Sequence, residues 1–410
     1  MKNFEENLEK YAELLVRTGI NIQKDQTLVI NAPIKGADFV RKIAEKAYEA
    51  GAKNVHVEYS DEELSLIKYM NAPDQAFKEY PQWKADGFGQ MADENCAFLS
   101  ISGSDPDLFK KVDPEKIAAA NKAHGEAMVK FRKAVNNSTV SWCVAAIPTP
   151  RWSQKVFPDL SPEKAMEKLW DNIFQATRAD AKSPVEAWNH HLEVLNEKIA
   201  FLNNNPIKFL HYAGEGTDLV VELPEDHIWL GGGEENAKGT YFIANMPTEE
   251  IFTVPLKTGV NGYVSSTKPL SYGGNLIDHF RLTFKDGKIV AFTAEKGYET
   301  LEKLIATDEG SQYLGEVALV PHDSPVSNTD IVFFNTLFDE NASCHFAIGS
   351  AYPINIKGGT QMNQDQLEAV GANTSLSHVD FMVGSAKINI EATMVTGEKK
   401  MIFEEGNWAF

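Results

Sequence analysis

Basic residues and long apolar runs are what this sequence lacks most. Lys and Arg number 39 against 58 Asp and Glu, a net charge of −19. Such a chain repels phosphate backbones, and no basic run offsets the repulsion locally, which excludes nucleic acid as the expected partner. A cationic or zwitterionic small molecule is the more natural one. No stretch approaches the ~20 consecutive apolar residues that a membrane-spanning helix requires. The first residues, "MKNFEENLEKYAELLVRTG", are charged throughout and lack the apolar core of a signal peptide. The expectation is a cytoplasmic protein with no membrane partner. Cysteine is rarer still. Cys96, Cys143 and Cys344 are odd in number and widely spaced, with no CxxC pair, which argues against a disulfide framework and against a thiolate zinc site. Nucleotide-binding fingerprints are missing too: "NAPIKG" and "SGSDPD" are neither GxGxxG nor GxxxxGK[ST], and "GGGEE" reads as a flexible turn.

What is present is the composition of a soluble globular protein, 43% apolar and 24% charged. At 410 residues the chain is too long for one ordinary core, so two domains are expected. The first half alternates helix and strand. Phe4, Leu8, Tyr11 and Leu15 follow helical spacing up to Gly19, and Val40, Ile43, Ala44 and Ala47 form a second stripe closed by Gly51. Between and after them lie the strand-like runs "QTLVINAP", "NVHVEYS", "AFLSISG" and "TVSWCVAAI", with a long helix near 114–134. This βαβ rhythm predicts a mostly parallel sheet flanked by helices. Ser183-Pro184-Val185-Glu186 reads as a capping box with proline at the first helical position. The helix it opens carries the stripe Val185, Trp188, Leu192, Leu195, Ile199 and Leu202, a seam expected to bury against another helix, either within the domain or across a dimer. "NNNP" ends it, and the domain boundary is placed there, giving 1–205 and 206–410.

After Pro206 short β-rich runs alternate with Gly, Pro, Asn and Asp turns, and "FKDGKI" marks a hairpin at Asp286-Gly287. One helix is expected over 298–306 and a second near 336–347. The fold class is thus α/β: an N-terminal parallel-sheet domain, then an α+β domain with a curved, barrel-like, antiparallel-rich sheet.

Four places in this second half set potential ligands among apolar residues. "NMPTEEIFTVP" offers Glu249 and Glu250 directly before a strand. "YLGEVALVP" carries Glu316 as its only charge. "FDENASCHFAIGSAYP" holds Asp339, Glu340, Cys344, His345 and Tyr352. In "SLSHVDFMVGS", strand alternation puts His378 and Asp380 on one face and Val379 and Phe381 on the other. Each alone has a bland reading, as a solvated or merely hydrogen-bonded side chain. Glu316 resists it, because an unpaired carboxylate in an apolar strand costs several kcal/mol unless a cation or donor meets it. Together they offer two imidazoles, three or four carboxylates and no thiolate, a donor set for a pair of divalent ions such as Zn²⁺, Co²⁺ or Mn²⁺. Carboxylates can also bridge two ions ~3.5–4 Å apart. His190-His191 reads as a solvated helix face, and His322 as a loop hydrogen-bonding residue.

At these segments the sequence resembles the aminopeptidase T / AmpS / PepS family of metallo-aminopeptidases over its whole length. The resemblance implies metal ligands at Glu250, Glu316, Glu340, His345, His378 and Asp380, with Tyr352 also at the active site and Glu340 as either ligand or acid/base group. It further implies a homodimer, peptide substrates with a free N-terminus, and hydrolysis of the N-terminal peptide bond by a water held between two divalent ions. Two other readings remain open at this point: a metal-dependent amidohydrolase or other hydrolase with the same ligands, and a non-catalytic module holding a structural ion.

Overall fold

The computed structural model describes residues 3–272 and 275–410. The chain folds as two compact units, Met1–His190 with Gly233–Pro247, and His191–Gly232 with Thr248–Phe410. The division falls inside the 21-residue helix Pro184–Asn204. Nothing in the composition marks 233–247 as a return to the first unit.

The first unit is built on a four-stranded parallel sheet in the order Asn54–Ser60, Thr27–Pro33, Ala97–Ser102, Trp142–Ala146. Its central strands are apolar almost throughout, with Leu28, Val29, Ile30, Ala97 and Leu99 fully buried, as a sheet covered on both faces demands. Helices Ala37–Glu49, Glu62–Asn71, Gln82–Asp93 and the 114–136 region supply the crossovers. The expected single helix over 114–134 is two, Pro114–Ala127 and Val129–Asn136. Met128 leaves helical geometry (φ −87°, ψ 12°) and buries its side chain against Phe88 and Phe98, so local packing overrides the helical periodicity there. The returning segment lies along the last strand, where the Val144 N–H donates to Ala244 O at 2.7 Å and the Met246 N–H to Val144 O at 2.9 Å.

The second unit holds two antiparallel sheets. The larger has nine strands. Its main path runs Leu270–Tyr272, Asn275–Lys285, Val260–Ser265, Thr217–Glu222, Ile207–Gly214, Asn389–Met394, Lys399–Glu404, Asn407–Trp408. Lys288–Lys296 pairs beside Asn275–Lys285 through the expected Asp286-Gly287 hairpin. Thr217–Glu222 and Asn389–Met394 alternate buried and exposed residues, the signature of one covered face. The smaller sheet has five strands, ordered His378–Met382, His345–Gly349, Leu314–Leu319, Ile251–Thr253, Leu230–Gly231. Both sheets contribute to one apolar core, with Leu210, Tyr212 and Val221 from the larger and Val317, Phe346 and Phe381 from the smaller. Tyr212 and Phe346 meet edge to face at 4.9 Å.

From the seam of the 184–204 helix, Leu195 and Leu202 join this sheet-built core. One local expectation changes: the helix expected near 336–347 is only Thr336–Asp339 with a further 3₁₀ turn to Ala342, and His345 opens a strand.

Candidate metal centre

The five-stranded sheet explains how residues 130 positions apart in sequence come together. Antiparallel register sets Glu316 opposite Ala347, Ala347 opposite Asp380, Ala318 opposite His345, and Gly349 opposite His378. Phe252 stands opposite Ala318, so Glu250, two residues earlier, falls on the same side. One face therefore presents Glu250, Glu316, His345, Asp380 and His378, spaced by the small residues Ala318, Ala347 and Gly349. The other face presents Val317, Leu319, Phe346, Ile348 and Phe381 to the core. Gly349 is required where it stands: its φ is +113°, and a Cβ would lie 2.1 Å from Ser377 O.

Two groups of ligand atoms result. Glu250, Glu316 and His345 converge so that one atom from each lies within 4.8 Å of the others, and Glu316, His378 and Asp380 do the same. Glu316 belongs to both. Its Oε1 is 3.5 Å from His345 Nε2 and its Oε2 is 3.6 Å from His378 Nε2. Glu250 Oε2 approaches His345 Nε2 at 3.1 Å.

The imidazoles are oriented from behind. His345 Nδ1 is 3.0 Å from Ser343 O, and His378 Nδ1 is 2.7 Å from Ser350 O. A carbonyl oxygen only accepts, so each Nδ1 carries a proton and donates it, leaving each Nε2 aimed at the carboxylates. Each Nε2 is therefore free to carry a second proton toward the carboxylates or, as a neutral imidazole, to offer its lone pair to a cation held among them. Asp380 Oδ1 is buried and meets no hydrogen-bond donor among the described residues, with His378 Nε2 at 3.4 Å outside hydrogen-bond geometry. These residues fit divalent ions.

The electrostatics follow from crowding. Burial, only partly offset by the neighbouring His345 imidazole, raises the Glu316 carboxyl above its ordinary range. Burial, then the Glu250 and Asp380 carboxylates, raises Glu340 further. Burial opposes the charge on Asp380, yet the neighbouring His378 imidazole lowers its pKa. For His345, burial is outweighed by Glu250 and Glu316, which hold the imidazole well above its usual range.

Of the seven expected site residues, five form these two groups. Glu340 is in neither, but is buried close enough to Glu250 and Asp380 to feel both. Tyr352 is 39% exposed, with its ring centroid 4.5 Å from that of His378. Burial and then the carboxylates push its phenol well above the usual range, so it remains a donor. Asp339 turns away, accepting from the Phe333 and Asn335 N–H groups at 2.7 and 3.0 Å. Cys344 is buried against Val320.

Three supports escape sequence reasoning. Asn341, fully buried, accepts from the Glu249 N–H at 2.7 Å and donates to Leu337 O at 2.8 Å, tying the Glu250 segment to the Glu340 helix. Asp308 accepts from the Leu376 N–H, the Ser311 N–H and the Ser375 hydroxyl, fixing the loop that leads into the His378 strand. His191 is the third, and it corrects the solvated-face expectation. Although His190 is exposed, His191 turns inward, with Nε2 2.8 Å from Thr248 O and 3.5 Å from Glu249 Oε2. Only Asn341 left a sequence signal, as a polar residue beside the expected Glu340. His322 behaves as expected, its Nδ1 lying 3.4 Å from the Ser327 hydroxyl.

Comparison with known proteins bears on this geometry. The family described as thermophilic metalloprotease (M29) matches residues 4–408. Aminopeptidase AmpS of Bacillus subtilis (strain 168) is 51% identical over 410 residues, covering 100% of both chains. Aminopeptidase 2 of Geobacillus stearothermophilus is 50% identical, covering 100% of this chain and 99% of its own. The solved structure of wild-type AmpT from Thermus thermophilus superposes with a TM-score of 0.94 at 41% identity, over 99% of this chain and 100% of that one.

Proposed function

The chain belongs to the thermophilic metalloprotease (M29) family, and from that membership we propose that it is an aminopeptidase with a two-ion centre built on the five-stranded sheet. The observation that carries the two-ion reading is the sharing of Glu316 between two ligand groups. Glu250, Glu316 and His345 would hold one ion, and Glu316, His378 and Asp380 the other. When bound, such ions supply Lewis acidity to the attacking water and to the scissile carbonyl.

The remaining work falls to the chain's own groups. Glu340, with its raised pKa, is the proton carrier, taking a proton from the attacking water and passing it to the departing amine. Tyr352, protonated at neutral pH, donates to the oxygen that gains charge as the carbonyl becomes tetrahedral. The excess of carboxylates over imidazoles favours a substrate bearing a free ammonium group. Ser343 O and Ser350 O keep both imidazoles in one tautomer throughout.

The finer parts of the reading rest on composition and resemblance: Zn²⁺, Co²⁺ or Mn²⁺ as the ion, a homodimer, a cytoplasmic location, and neither nucleic acid nor membrane as partner. Among the described residues, no helix is long and apolar enough to cross a membrane.

One assay tests the activity. Metal-stripped protein, with and without Co²⁺ or Zn²⁺, is given amino-acid anilides and N-blocked peptides. Metal-dependent release from free-amine substrates alone supports the aminopeptidase. Cleavage of blocked peptides points to another hydrolase, and metal uptake without turnover to a structural site.

A further inference from the structure

The first unit carries a polar feature for which the metal centre has no use. On one face of its parallel sheet, Val29 and Phe98 are buried beneath Phe88 and Met128. Two residues further along, the same face changes character. Register aligns Asn31 with Glu58 on one neighbouring strand and with Ser100 on the other, a row of three polar side chains where parallel sheets are ordinarily apolar. There the helices stop covering the sheet and leave a cavity of about 210 Å³, lined by these three with Ser60, Ser102 and Lys84. Glu58 is engaged, 2.8 Å from Lys84 Nζ and 3.0 Å from His56 Nε2. Among the described residues the Asn31 amide and the Ser100 hydroxyl meet no hydrogen-bond partner, and both line the cavity.

The position is informative as well. The strand containing Asn31 sends its crossover to one neighbour, and the strand containing Ser100 lies on its other side. The cavity thus sits outside the carboxyl ends of the strands at the point where the order reverses, the usual ligand position in open α/β sheets. Its chemistry narrows the class. Neither "NAPIKG" nor "SGSDPD" offers a glycine-rich phosphate cradle, and the volume is below the ~300–1,000 Å³ of cofactor pockets. Glu58 disfavours a pure anion and Lys84 a pure cation. One wall that shows both signs suits a molecule that carries both.

We infer that this crevice binds a small zwitterion of single-amino-acid size, its ammonium toward Glu58, its carboxylate toward Lys84, and Asn31 and Ser100 hydrogen-bonding between them. The inference stands independently of the metal centre, although free amino acids are also what the proposed reaction would release.

Equilibrium dialysis of the full-length, metal-loaded protein against each common amino acid tests it, with the matching amino alcohols and N-acetyl amino acids as single-charge controls. At least one amino acid is expected to bind wild type and Glu316→Gln alike, and to bind Asn31→Leu about tenfold or more weakly. Ser100→Ala weakens binding in the same direction and guards against misfolding of the first variant. Asn31→Leu keeps its peptidase turnover, and its ligand-free unfolding midpoint does not fall, as a purely structural asparagine would require. Binding lost in Glu316→Gln but kept in Asn31→Leu would assign the amino acid to the metal centre and overturn the inference. So would no binding at millimolar concentration, or equal binding of the single-charge controls. Amino-acid binding by a wild-type protein without peptidase activity would leave this site standing and remove the proposed function instead.

Discussion

Substituting Glu316 by Gln changes one oxygen for one NH₂ and almost nothing in volume, so it isolates charge and ligation. In the metal-free protein the change is close to neutral. Glu316 loses attraction to two imidazoles at 3.5 and 3.6 Å, but also loses its burial cost and its repulsion by Asp380 and Glu250. At an effective dielectric near 20, a charge pair at 4 Å is worth about 4 kcal/mol, so the opposing contributions are of similar size. Added metal separates the two proteins. A ligand present at 1,000 times its Kd stabilises the folded state by about 4 kcal/mol. For a unit of about 200 residues, that corresponds to a rise in unfolding midpoint of roughly 8–16 °C. Scanning calorimetry of stripped protein titrated with Co²⁺ or Mn²⁺ reads this directly. Zn²⁺ is less suitable, since 3 cysteines and 10 histidines capture it in the unfolded chain. Wild type should show the full rise and Glu316→Gln little or none. A rise of equal size in both proteins would refute the shared-ligand geometry.

Acidity supplies a second test. In stripped protein, burial disfavours the His378 cation, but Asp380 and Glu316 lift its pKa from 6.5 to about 9. A raised folded-state pKa contributes stability that is complete below pH 6.5 and lost as pH rises through about 9, on the order of 3 kcal/mol. Urea unfolding of stripped wild type against His378→Gln across that window checks it, the difference shrinking toward alkaline pH. Asp308→Ala removes three hydrogen bonds to a carboxylate. It should cost roughly 1.5–3 kcal/mol and weaken metal affinity, measured by competition with a chelating dye. Ala347→Leu fills the space between Glu316 and Asp380. It should abolish metal uptake at about 1–3 kcal/mol of stability, whereas Ala347→Gly retains uptake.

Much of this architecture was legible because the signals were periodic. The parallel sheet showed in apolar runs alternating with helical stripes, and His378 with Asp380 showed in a two-residue alternation that the structure preserves. Glu316 stood out by being alone among apolar neighbours. His345 was harder. Its strand is buried at every position, so "CHFAIG" has no alternation to distinguish it from a buried helix. The inward turn of His191 was hidden for another reason: its partner, Thr248 O, is a backbone atom 57 residues away. Backbone acceptors leave no trace in side-chain chemistry, which also conceals how Ser343 and Ser350 set the two imidazoles.

The interleaving of ligands with Ala318, Ala347 and Gly349 has a consequence for folding. The five candidate ligands arrive on four chain segments, and every pairing between them is antiparallel. A slip of one residue in any strand would turn its ligands into the apolar core and its core residues into the cleft. A correctly threaded sheet gathers five donor side chains around one small space, and a sheet slipped by one residue scatters them. Metal uptake during refolding would accordingly report when the strand pairings have reached their final register.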